Sequence, residues 1–302
     1  MATSKEWLEG ARLRTLPAAA APVFVGAGAA ANLGGFSWGK SLLALAVALL
    51  LQIGVNFSND YSDGIRGTDE ERVGPLRLTA SGAAPAKTVL AVALGCFAIA
   101  GVAGLALVAW SGLWWLLAVG VLAVLAAWFY TGGKHPYGYM GIGASEILVF
   151  VFFGLVATVG TTVVQSYQAP WWVWVAASGI GVASVSLLMI NNLRDIPTDA
   201  LSGKRTIAVR MGDAGSRSFY LVLLGVSILC GAIAVAGAGA STWWALGVGG
   251  VLLLAALPGA IQVLGGKSGR MLLGALRNTG LYALAYGVVL GVVFAVGAPQ
   301  GL

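Results

Sequence analysis

The chain has 302 residues, of which 9% are charged and 59% hydrophobic, with 17 Lys and Arg against 11 Asp and Glu for a net charge of +6. Soluble domains carry about 25% charged residues, so this composition, with a mean hydropathy of +0.89, excludes a soluble globular protein and indicates a polytopic membrane protein. The single His excludes a His-rich metal centre, and the basic excess is read through membrane topology, with no nucleic acid expected as a partner.

Nine apolar segments follow in chain order, at residues 16–34, 42–59, 88–109, 112–130, 141–163, 172–192, 218–237, 243–264 and 278–297. Most have at least about 18 residues, the length that crosses ~30 Å of hydrocarbon. The first has basic residues ahead of it and small residues near its end, as a signal peptide does. Its length and the eight spans behind it argue for a retained helix. The 45 glycines suit close helix approach in lipid. Gly287 and Gly291 form one Gly-x-x-x-Gly pair, and Gly179 and Gly181 read as packing positions. Cys96 and Cys230 sit in apolar runs and read as inert buried thiols.

Lys and Arg set the sidedness. With the N-terminus in the cytoplasm, sixteen of the seventeen basic residues fall in cytoplasmic segments and only Lys40 falls outside. One span more or fewer in the middle would destroy that segregation. The expected architecture is therefore an all-α membrane domain over 1–302, with about nine helices and an inside N-terminus.

Two polar strings interrupt the apolar pattern on that cytoplasmic side. "NDYSDGIRGTDEERVGPLRLTASG" (59–82) follows span 2 and holds Asp60, Asp63, Asp69, Glu70 and Glu71, nearly half of all the carboxylates. "NNLRDIPTDALSGKRTIAVRMG" (191–212) follows span 6. Asn59 and Asp63 are four residues apart, as are Asn191, Asp195 and Asp199, so each set stacks along one helix face. Gln52, Asn56, Asp60 and Asp63 carry the first stripe down into span 2. Pro197 is expected to kink or end the second helix. The shared Asn-x-x-x-Asp core, four spans apart, points to an internal repeat of spans 1–4 and 5–8 with the ninth added.

A carboxylate at a transmembrane helix centre costs about 2.5–3.5 kcal/mol on insertion scales, so acids at a membrane edge need a role. Aligned carboxylates beside Arg and Lys describe a site for a divalent cation and a polyanion together. Oxygen ligands with a phosphate partner favour Mg2+, with Arg and Lys covering the remaining phosphate oxygens. Glu146 and His135 are left without an assigned partner.

At these residues the chain resembles the UbiA-type intramembrane aromatic prenyltransferases. Asn59, Asp60 and Asp63 match the family's Asn-Asp-x-x-Asp-x-x-x-Asp motif, and Asp195 with Asp199 matches its Asp-x-x-x-Asp motif. The third acid of the first motif would fall at Gly67, and the nearest acid is Asp69. "RLRTLPAA" (12–19), "YTGGKHPYGYMGIGASE" (130–146) and "LRDIPTDALSGKRTIAVRMG" (193–212) resemble the menaquinone branch, the 1,4-dihydroxy-2-naphthoate polyprenyltransferases. The resemblance implies helices around a central cavity in the bacterial plasma membrane, with the active-site mouth on the cytoplasmic side. It implies Mg2+-dependent transfer of a polyprenyl group from its diphosphate to the naphthoate, with loss of carbon dioxide and diphosphate. The implied metal set is Asn59, Asp60, Asp63, Asp195 and Asp199, with Asn56, Asp69, Asn191 and Asn192 as further candidates. Arg66, Lys134, Arg194 and Lys204 are the expected diphosphate contacts, whereas Arg72, Arg77 and Arg205 fit cytoplasmic anchors equally well. Lys134, Tyr61 and Tyr130 complete the expected catalytic set, the tyrosines as faces for an allylic cation. Two alternatives stay open. One is a relative with another acceptor, such as 4-hydroxybenzoate; the other is a transporter of an anionic substrate, which would place its polar site at the bilayer midplane.

Overall fold

The structure, a computed structural model, describes residues 2–67 and 76–297, so Asp69, Glu70, Glu71 and Arg72 lie outside the described residues. The helices are α1 (Ser4–Gly10), α2 (Leu16–Asn32), α3 (Trp38–Arg66), α4 (Ala86–Ser111), α5 (Leu116–Thr131), α6 (Ala144–Val149), α7 (Ala157–Ser166), α8 (Trp171–Leu201), α9 (Ile207–Gly237), α10 (Thr242–Leu264) and α11 (Leu273–Val296). A π-helical turn, Phe150–Val156, joins α6 to α7 in one run of 23 residues. Among the described residues there are no strands.

Eight of these helical runs are long and apolar enough to cross a membrane. The ninth expected span is α5, which has only 16 residues and so rises about 24 Å. It is shorter than expected because Gly112, at φ +73, ends α4. The next helix then starts only at Leu116.

Local signals fix the helix ends. Thr3 and Glu6 form a capping box at α1. Ser37 caps α3 by accepting from the Lys40 N–H, and Gly67 at φ +73 ends it. Thr206 caps α9 the same way through the Val209 N–H. Two helices run well past their apolar stretch. α3 continues to Arg66 and α8 to Leu201, and both carry their polar strings as helix. Pro197 does not end α8, contrary to expectation: the helix passes through it for another turn. That continuity keeps Asp195 and Asp199 on one face.

Close approach of helices is built on glycine. A Cβ on Gly28 would lie 2.2 Å from the Gly291 carbonyl oxygen, and one on Gly287 would lie 2.6 Å from Ala21 Cα. The Gly287/Gly291 pair is therefore the seam between α11 and α2. A Cβ on Gly181 would meet Phe150, and one on Gly154 would meet Gly181, which seats the π-helical run against α8. The main core gathers α2, α8, α9 and α11 around fully buried Tyr220, Tyr282 and Tyr286. Their hydroxyls are satisfied by Thr279, Ser227 and the Ala176 carbonyl respectively, as buried phenols require. Trp38, Trp110, Trp114, Trp115, Trp243 and Trp244 are exposed, as an interfacial aromatic belt would be. Cys96 and Cys230 are free and partly buried.

Candidate active site

The polar ends of α3 and α8 converge on one small pocket of about 100 Å3. From α3 come Asn59 and Asp63, and from α8 come Asn191, Asn192, Asp195 and Asp199. Three connecting segments close it: Arg77 after the undescribed residues, Gly138 and Tyr139 between α5 and α6, and Lys204 and Thr206 between α8 and α9. Arg12, whose backbone is left-handed at φ +52, enters from the turn between α1 and α2. Such a conformation in a non-glycine residue has to be held by its surroundings. The Arg12 carbonyl here accepts from both the N–H and the hydroxyl of Thr15.

The acids are buried and engaged. Asp63 is 3% exposed. One of its oxygens accepts from the Tyr139 hydroxyl; the other faces Arg77 and Lys204, each at 3.4 Å. Asp195 is equally buried and takes a bidentate grip from its neighbour Arg194, with Nε and Nη2 both at 2.6 Å. Asn59 accepts from the Thr131 hydroxyl at 2.8 Å. The Asp199 carbonyl accepts from the Lys204 N–H at 2.9 Å, which folds the loop after α8 back over the pocket.

The pocket opens onto a second cavity of about 1190 Å3, lined mainly by Val, Leu, Ala and Phe from α2 to α8. Arg12, Asn59, Tyr130 and Asn191 border both spaces. Tyr130 packs edge-on against Tyr137 at 5.6 Å. Tyr137 donates to the Ala126 carbonyl at 2.7 Å, and burial raises its phenol above the usual range, so it stays a neutral donor.

The structure brings together Asn59, Asp63, Asn191, Asn192, Asp195, Asp199, Lys204 and Tyr130, as the sequence led us to expect. Other expectations need correction. Asp60 does not line the pocket: its two oxygens accept from the Leu78 and Thr79 N–H groups at 2.8 and 2.9 Å, pinning the segment that carries Arg77. Arg66 is not a pocket residue either. Its guanidinium donates to the Thr131 and Gly133 carbonyls and ties α3 to the end of α5. Asn56 donates to the Ala11 carbonyl and the Thr15 hydroxyl, and so braces the Arg12 turn. Tyr61 packs in the small satellite core with Phe57 and Leu78. Lys134 and His135 are exposed outside both cavities, and buried Glu146 lines neither. Arg194 lines the second cavity and grips Asp195 of the pocket. Among the pocket residues, sequence reasoning leaves out Arg12 and Thr206, reads Arg77 equally as a phosphate contact or a cytoplasmic anchor, and counts Tyr139 only among the tyrosines near the mouth. Arg77 and Tyr139 arrive by chain returns that no periodicity announces.

The donor set suits Mg2+. Its ligand atoms are carboxylate and amide oxygens, and Mg2+ takes one or two carboxylates plus substrate phosphates in preference to a full protein cage. Among the described residues no three acidic, His or Cys side chains already form such a cage. The Asp63 carboxylate faces Arg77 and Lys204, and the Asp195 carboxylate faces Arg194.

Known proteins resemble this chain in sequence and fold over most of its length. A relative from Mycobacterium tuberculosis named 1,4-dihydroxy-2-naphthoate octaprenyltransferase is 48% identical over 98% of this chain and 99% of its own length. One of the same name from Escherichia coli is 37% identical over 75% of each. A UbiA homolog from Archaeoglobus fulgidus bound to DMAPP and Mg2+ superposes with a TM-score of 0.70 at 14% identity, over 96% of this chain and 99% of the other. The apo UbiA homolog from Aeropyrum pernix K1 gives 0.69 at 16% identity, over 93% and 97%. The UbiA prenyltransferase family model matches residues 19–272, and with it the chain belongs to that family.

Proposed function

We propose that this chain transfers a polyprenyl group from polyprenyl diphosphate to 1,4-dihydroxy-2-naphthoate, with loss of carbon dioxide and diphosphate, to give demethylmenaquinone after oxidation. The observation that carries the reading is the junction of the two cavities. A charged pocket of about 100 Å3 opens onto an apolar space of about 1190 Å3, which suits a substrate with a diphosphate head and a long hydrocarbon tail. The name shared by the relatives at 48% and 37% identity supplies the acceptor.

The roles follow from position. Arg12, Arg77 and Lys204 hold the diphosphate and stabilise the charge it develops as the C–O bond breaks. Asp63, Asp195 and Asp199, with Asn59 and Asn191 beside them, would hold Mg2+, whose chemistry when bound is to neutralise charge on the leaving group. The A. fulgidus homolog with DMAPP and Mg2+ supports that choice of metal. Tyr130 borders both cavities, and its ring would stabilise an allylic cation formed between them, a contact worth up to about 2 kcal/mol when desolvated. The ring carbon of the acceptor that bears the carboxylate forms the new C–C bond. Loss of carbon dioxide from that carbon returns the bonding electrons to the ring. The distribution of basic residues supports an inside N-terminus with the pocket facing the cytoplasm, where diphosphate is released.

The test is a panel of acceptors with purified protein, Mg2+ and one polyprenyl diphosphate, using acceptor labelled in its carboxyl group. One labelled carbon dioxide and one diphosphate are expected per prenylated product. A product that retains the label refutes the naphthoate assignment. Transfer to no acceptor, with flux of an anion across proteoliposomes instead, refutes the enzyme.

A further inference from the structure

We propose that Tyr139 is a positioning residue of this site, its hydroxyl orienting Asp63 as a metal ligand and its ring holding the Lys204 ammonium where the diphosphate binds. The inference rests on the prenyl diphosphate reading above and assigns a residue outside the two acidic motifs.

Tyr139 is delivered by a clamped segment. It ends the 3-10 turn Tyr137–Tyr139. Its carbonyl accepts from the Arg205 N–H at 2.9 Å, and the next carbonyl, Met140, accepts from Arg210 at 2.7 Å. Gly141 then lets the two loops touch. A Cβ there would stand 1.7 Å from the Arg205 carbonyl oxygen, and its φ of +60 also favours glycine. The chain thus fixes the Tyr139 backbone against the loop that bears Lys204, leaving only the side-chain torsions to settle.

Those torsions place both ends of the side chain on functional groups. The hydroxyl donates to one oxygen of Asp63, while Lys204 and Arg77 face the other. A phenol is a neutral donor. It fixes the carboxylate plane without cancelling the negative charge a metal needs, as Arg or Lys in its place would. Hydrogen-bonded outer partners of ligating carboxylates commonly govern metal affinity in this way. Meanwhile the ring centroid lies 4.7 Å from Lys204 Nζ and 5.6 Å from Arg66 Cζ, within the range of a cation–π contact. Lysine is a flexible point charge, and the ring confines it to the pocket wall.

Two variants separate the two ends. Tyr139→Phe keeps the ring and removes the hydroxyl; Tyr139→Leu removes both. The probe is Mn2+, which suits the same carboxylate oxygens. Its binding to the purified full chain is followed by electron paramagnetic resonance with a non-reacting prenyl thiolodiphosphate present. Tyr139→Phe should raise the Mn2+ Kd by about 10–100-fold, leaving the melting temperature and the analogue affinity at saturating Mn2+ near wild type. Tyr139→Leu should weaken the analogue as well. Wild-type Mn2+ affinity in Tyr139→Phe, or a loss that only tracks a fall in melting temperature, overturns the assignment. Failure of the wild-type chain to bind the analogue at all instead overturns the reading on which it rests.

Discussion

Replacing Asp60 by Asn should unseat the segment that carries Arg77 while sparing the metal response. Asp60 sits next to Asn59 and within the acidic motif, so its charge alone suggests a ligand. Its geometry says otherwise: it makes two charge-assisted bonds, at 2.8 and 2.9 Å, to the successive N–H groups of Leu78 and Thr79. Each such bond contributes about 1.5–3 kcal/mol. An Asn amide keeps one acceptor, now neutral and worth about 0.5–1.5 kcal/mol, and turns an NH2 towards the second N–H. The loss is therefore about 2.5–4.5 kcal/mol, focused on residues 78 and 79. Arg77 is buried in the pocket wall directly beside them and should lose its place. The assay pairs thermal unfolding of the chain in nanodiscs with turnover against Mg2+ concentration. A melting temperature lower by several degrees is expected, together with a raised KM for the prenyl diphosphate and an unchanged Mg2+ half-saturation. Unchanged stability with a shifted Mg2+ half-saturation would make Asp60 a ligand and refute the reasoning.

Two further outcomes are expected. Asp199→Asn preserves shape at a pocket residue whose backbone carbonyl accepts from the Lys204 N–H of the loop, so turnover should nearly vanish with the fold intact, as after EDTA, and full activity would remove Asp199 from the ligand set. A cysteine at position 203, exposed in the loop after α8, should react with an impermeant thiol reagent only from the cytoplasmic side, and labelling from outside would invert the topology.

What the sequence discloses here depends on whether the contact is periodic. The apolar runs are long, so the spanning helices can be read directly, and the i, i+4 rows Asn59/Asp63 and Asn191/Asp195/Asp199 give the pocket's two facing edges. Asp60 misleads because the motif treats it as equivalent to its neighbours, whereas successive helix positions differ by about 100° around the axis. The helix turns Asp60 away from Asn59, towards Leu78. Arg66 misleads in the opposite sense, since a basic residue near acids looks like a phosphate contact until the carbonyls of Thr131 and Gly133 come within its reach. Arg77 and Tyr139 meet Asp63 across sequence separations of 14 and 76 residues. Such contacts depend on how loops return, which neither propensity nor patterning encodes. Gly287 and Gly291 show the remaining gap: their spacing was plain, but only the partner, Gly28 with Ala21 beside it, distinguishes a seam from the background of a glycine-rich chain.

The charge balance of the pocket bears on how the two proposed ligands would enter it. Asp63, Asp195 and Asp199 line it together with Arg12, Arg77 and Lys204, and Arg194 grips Asp195 from behind. Burying an ion without a partner costs several kcal/mol, and the buried acids here face bases: Asp63 faces Arg77 and Lys204, and Asp195 faces Arg194. A divalent cation entering alone would take the carboxylates and strand the bases. A diphosphate entering alone would take the bases and strand the carboxylates. Entering together, each would compensate the group the other displaces: Asp63, Asp195 and Asp199 would hold the metal, and Arg77 and Lys204 the phosphate oxygens. If these acids hold the metal and these bases the diphosphate, as proposed, the same pairs would couple the two ligands, and the head group would ionise only with its metal beside it.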